Sequence, residues 1–137
     1  ADHAEACDDD AMRADVTASR MLRADHDGRP DEARALAERA LALAARCPTD
    51  HAAAAATLAH GELAWLALER QDFETVRQQL ALAVVQARRA ATVPRHEGGY
   101  EAYELQLRVI EIDACQRQER HHEALQAADA ALQALDG

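Results

Sequence analysis

Two clusters in this 137-residue chain combine side chains that bind metals at spacings a helix could use. His3 and Cys7 stand four residues apart with Asp10 a turn further on, so a helix there would present all three on one side. Cys115, Glu119 and His122 would share a face only if a helix ran unbroken through 116–120. A zinc site needs three or four convergent donors, and neither cluster has a second matching pair nearby in sequence. Glu119-Arg-His-His122 contains one Glu-x-x-His, whereas carboxylate-bridged bundles use two. No metal or other cofactor is therefore assigned.

Nucleophile and nucleotide chemistry fare no better. Cys47, just before Pro48 at a helix end, gains no thiolate stabilisation from the helix dipole there, and Cys115 reads as a small apolar core residue. His121 and His122, with His96, suggest a pH-switched interface by residue type, but seven scattered histidines more often sit on a surface without such a role. There is no Ser–His–Asp constellation, no Gly-rich phosphate loop and no HExxH, and Gly98-Gly99 lacks the rest of any nucleotide fingerprint. No catalytic residue is expected, and the chain reads as a non-enzyme.

What must position any site is helix. Hydrophobic residues make up 49% of the chain but aromatics only 3%, so small side chains, alanine above all, must fill the interior. Alanine is the strongest helix former, and the β-branched and aromatic residues that strands favour are scarce. Every Lys+Arg position is Arg, and Asn is absent. The net charge of -10 argues against a phosphate backbone or an anionic membrane as partner. Three widely spaced cysteines leave at least one thiol unpaired and show no CxxC, which suggests a reducing compartment, hence a cytoplasmic protein. No apolar run reaches the roughly 20 residues that span a bilayer, and no leader is evident. The chain begins with Ala1, as a processed chain or a piece of a longer protein would.

Turn residues divide the chain at Gly28–Pro30, Pro48–Asp50, Gln71–Asp72, Pro94 and Gly98-Gly99. Helices are expected over about 4–26, 30–46, 51–69, 72–92, 100–117 and 120–135. The spacing places Met12, Val16 and Leu22 on one face of the first, and Leu58, Trp65 and Leu68 on the third, with Asp50 as its N-cap. It turns Val76, Leu80 and Ala83 inward on the fourth, runs the fifth through Leu105, Val109 and Ile112, and the sixth through Ala124, Ala128, Ala131 and Leu135.

The second helix of each pair repeats. GRPDEARALAERAL (28–41), QDFETVRQQLALAV (71–84) and ERHHEALQAADAAL (119–132) align without gaps, matching Ala33, Val76 and Ala124, then Ala37, Leu80 and Ala128, then Ala40, Ala83 and Ala131. Offsets in the range of 20–50 residues are a mark of stacked repeats. The stretch from Gly28 through Ala33 to Ala40-Leu41 and Pro48 resembles the second half of a tetratricopeptide repeat. Phe73 matches an aromatic of that pattern, while Gln71 and Glu119 replace its glycine, and the Trp–Leu–Gly–Tyr spacing of its first helix is missing.

The resemblance implies an all-α fold of stacked antiparallel helical hairpins, a right-handed α-solenoid of about three repeats (4–48, 50–94, 99–136) forming one domain over 1–137. It further implies a concave groove, lined by the first helix of each pair, that binds a peptide or helix of another protein. Segments of this type occur in larger bacterial signalling and transcription-control proteins, so a regulatory or sensory role is expected by analogy. The groove residues would be Leu22, Leu58, Glu62, Trp65, Leu68, Glu69, Val109, Ile110 and Asp113, with Asp25, His26 and Gln106 beside them. Peptide-carboxylate recognition is disfavoured without Lys or Asn, and a basic or amphipathic partner suits the acidic edge. Separately, Leu125, Ala128, Leu132 and Leu135 form an apolar stripe on the last helix that suggests self-association into a homodimer.

Overall fold

The computed structural model describes residues 2–47, 49–90 and 99–136, and the described chain is all-helical. Helix α1 covers Asp2–His26, α2 Pro30–Arg46, α3 Ala53–Glu69, α4 Phe73–Ala90, α5 Gly99–Arg117 and α6 His121–Asp136. A single 3-10 turn, Asp50–Ala52, precedes α3. Asp50 therefore does not cap α3 but opens this turn, and its carboxylate meets Arg89 at 3.1 Å. The stops expected at Pro48, Pro94 and Gly98 lie outside the described residues, and Gly99, expected in a hinge, begins α5.

Consecutive helices pack on one another, and α3 also packs on α1 and α5. This central position explains the run Ala53–Thr57: a helix apolar all round is one covered on several sides. Helices α2 and α4 are amphipathic, with Ala33, Ala37 and Ala40 of α2, and Val76 and Ala83 of α4, buried.

The three hairpin turns share one geometry. Gly28, Gln71 and Glu119, the aligned first residues of the repeated segments, all have positive φ, at 75°, 59° and 58°. After each, a backbone N–H reaches back to the carbonyl five residues earlier: Arg29 to Ala24 at 2.9 Å, Asp72 to Ala67 at 2.9 Å, Arg120 to Cys115 at 2.8 Å. Each positive-φ residue itself donates three back, to Asp25, Leu68 and Gln116, all at 3.0 Å. This is the Schellman closure, which satisfies the last carbonyls of a helix. The turn is thus the conserved unit of the internal repeat, even where glycine is not.

Interior packing departs from the expected faces. On α1, Met12 is 66% exposed and Val16 and Leu22 also face outward, while Ala11, Ala14, Ala18, Met21 and Ala24 are buried. On α5, Val109 is 55% exposed and Leu107, Ile110 and Ala114 are buried instead. On α1 the face carrying alanine wins, because small side chains let backbones approach until many atoms are in contact, whereas on α5 the buried face pairs Leu107 and Ile110 with Ala114. Ala24, Ala33, Ala37, Ala40 and Ala59 gather around Met21; Ala64, Ala67 and Ala114 gather around Leu68, Val76 and Ile110.

The cysteine expectation is also corrected. Cys7 and Cys47 form a disulfide, with Cα atoms 5.0 Å apart, that ties the start of α1 to the end of α2. Forty residues separate them in sequence, but an antiparallel hairpin returns the chain to its starting end. Cys115 is free and buried, as expected, and burial pushes its thiol pKa up.

Candidate functional site

A cleft of about 250 Å³ opens between the first helices of the three pairs. Its walls come from Leu22 and Asp25 of α1, Thr57, Leu58, Gly61, Glu62 and Trp65 of α3, and Gln106, Leu107 and Ile110 of α5. These positions converge because α3 packs against both α1 and α5, and the side chains recur along α3 at helical spacing.

Five of the nine expected groove residues line this cleft: Leu22, Leu58, Glu62, Trp65 and Ile110, together with Asp25 and Gln106. The other four do not. Leu68 is fully buried in the core below. Glu69 closes α3 and is exposed at its end. Val109 points away on the opposite side of α5 from Leu107 and Ile110. Asp113 accepts from Arg117 Nε at 3.2 Å, and the same guanidinium donates through Nη1 to the Leu68 carbonyl at 3.1 Å. Asp113 thus orients an arginine that holds the end of α3, where backbone carbonyls lack helical partners.

Trp65 is half-buried, packing on the Ala64–Leu68–Ile110 cluster while also lining the cleft. Thr57, Gly61 and Leu107 were not anticipated. Thr57 is buried and its hydroxyl donates to the Ala53 carbonyl at 2.8 Å, so it contributes shape. Gly61 sits inside a helix where alanine is everywhere preferred; a Cβ there would meet Leu107 Cδ2 at 3.7 Å, an ordinary contact. The unexplained helical glycine in an alanine-rich helix was the available signal for a nearby concavity.

The polar centre of the cleft is Glu62 with Asp25. Glu62 is only 6% exposed, and its Oε1 has no hydrogen-bond partner. Burial, then repulsion by and hydrogen bonding to Asp25, push its pKa up to about 7. Burial and the neighbouring Asp25 thus favour the protonated form of Glu62. Among the described residues, no arginine or histidine forms an ion pair with either.

The weighed metal clusters do not assemble. Cys7 is oxidised, so it offers no thiolate, and Glu119 occupies the turn between α5 and α6. No group of three His, Cys, Asp or Glu side chains suited to a metal occurs among the described residues. His96 lies outside them. On α6, Leu125, Leu132 and Leu135 are exposed and Ala128 is half-buried. No described helix is long and apolar enough to cross a membrane.

Compared with protein-family models, with curated proteins and with solved structures, the chain matches none.

Proposed function

We propose that this chain is a non-catalytic protein-interaction module of tetratricopeptide-like hairpins, holding a peptide or helical segment of another protein in the cleft. One observation carries the reading: the first helix of every pair contributes to a single, mainly apolar cleft with Trp65 on its wall. A concave apolar surface with a few convergent polar groups is what a side-chain anchor requires, and tryptophan is enriched where binding energy concentrates. The repeated Schellman turns support a stack of like units. A regulatory role within a larger protein is the setting this reading suits.

The disulfide favours an oxidising compartment over the cytoplasm for the folded chain. Placing a charge in the cleft by Leu58→Arg, with Trp65→Ala beside it, tests the proposal. Peptides selected on the wild-type protein should lose binding to both variants while the variants keep their helical circular dichroism. Peptides indifferent to both changes would place binding elsewhere.

The exposed leucines of α6 support a second reading, self-association. Leu125, Leu132 and Leu135 lie on a helix whose main packing partner is α5 alone. Light scattering over a concentration series measures it directly: a dimer that Leu132→Glu converts to monomer supports this reading, and a monomer at every concentration removes it.

A further inference from the structure

Resting on the interaction reading above, we propose that the cleft seats a cationic side chain, arginine or lysine, of the bound segment against Asp25 and Glu62. Glu62 is nine-tenths buried, lines the cleft and keeps one oxygen without a hydrogen-bond donor. Buried polar atoms in native proteins are almost always paired, and an unmet acceptor in a cleft is met by what enters it. The donor has to come from outside the described fold, because no described arginine or histidine pairs with either carboxylate and none lines the cleft. Arg23 holds Asp27 at 3.1 Å, Arg108 bridges Glu104 and Glu111 at 3.5 and 2.7 Å, and Arg117 is held by Asp113. His60, on α3 itself, bonds Gln79 of α4 at 2.8 Å.

The surroundings suit a long basic side chain better than a bare ion. Leu22, Leu58 and Ile110 would cover its aliphatic stem, and Trp65 lines the same cleft, where an aromatic ring adds attraction for a cation that meets its face. A cation there would meet the open oxygen of Glu62 with Asp25 beside it, a pair of carboxyl groups matched to a guanidinium. The net charge of -10 steers basic segments toward the protein from a distance.

The test is a selection from a random dodecapeptide display library on the intact protein, followed by titration of synthetic peptides. Supporting results are enrichment of a basic residue flanked by apolar ones, loss of at least tenfold in affinity when it is replaced by citrulline or norleucine, and disappearance of that discrimination in Glu62→Gln. Asp25→Asn serves as the second variant, with thermal melting showing that each folds. Peptides that compete at the cleft, and are blocked by Leu58→Arg, but bind equally with the neutral replacement overturn this inference and leave the interaction reading standing. Failure to enrich any peptide sensitive to Leu58→Arg overturns both.

Discussion

Cys7 and Cys47 are bonded to each other at the end of the first hairpin remote from its turn at Gly28. The bond closes a loop already folded back by α1 and α2, so it stiffens the first hairpin. In the unfolded chain the same bond removes conformational freedom.

For a loop spanning 40 residues, the chain-entropy model gives a stabilisation of about 4 kcal/mol, an upper figure because native strain subtracts from it. Cys7→Ser, or reductant added to the wild type, should lower the urea midpoint correspondingly. Thiol counting should find one reactive group, Cys115, in the denatured unreduced protein and three after reduction. Identical midpoints with and without reductant would remove the disulfide's stabilising role.

Gln71 and Glu119 hold backbone angles that glycine adopts without strain. Gln71→Gly and Glu119→Gly should each raise stability by roughly 0.5–1 kcal/mol, while Gly28→Ala should lower it by about 1 kcal/mol. At Gly28 an added Cβ would meet nothing within 4 Å, so any loss there measures backbone conformation alone. Denaturant unfolding of the three variants checks the sign at each turn.

Glu62 gives stability a pH dependence of defined direction. Its folded pKa of about 7 lies above the ordinary 4.5, so between these values the folded state binds more protons than the unfolded chain. Stability should fall as pH rises through that window and level off above it. Discounted for solvent screening in the cleft, the loss is roughly 1–2 kcal/mol. Glu62→Gln should flatten the profile and be more stable than wild type at pH 8. A wild-type profile flat between pH 5 and 8 would show that the fold does not hold the proton on Glu62.

Gly61 separates stability from binding. Alanine there should stabilise α3 by about 0.5–1 kcal/mol, since the new methyl meets only Leu107 at ordinary contact distance. The same methyl narrows the cleft, so Gly61→Ala should melt higher yet bind cleft-directed peptides more weakly. A gain in both would argue against Gly61 shaping the site.

The residues chosen for the groove show how far spacing alone reaches. Leu58, Glu62 and Trp65 follow one another at three or four positions along α3, so their shared face is legible from helical period. Leu68 continues the same spacing but lies under the cleft floor, because how deep a neighbour packs is not a property of the helix itself. Val109 and Asp113 failed for a related reason: the rotation of α5 about its axis is set by what it meets, and Leu107, Ile110 and Ala114 met α3 and α4 more closely.

The sequence by itself determined the helical class, the places where the three turns fall, and the alignment of Gly28, Gln71 and Glu119 that the backbone angles repeat. These are local properties, written in propensity, punctuation and short-range hydrogen bonding. Only the tertiary structure decided which face of α1 and α5 is buried, that Cys7 meets Cys47, and that Asp25 meets Glu62. In an alanine-rich chain several faces of a helix are nearly equal in hydrophobicity, so the difference is made by how closely backbones can approach, a quantity that exists only between helices.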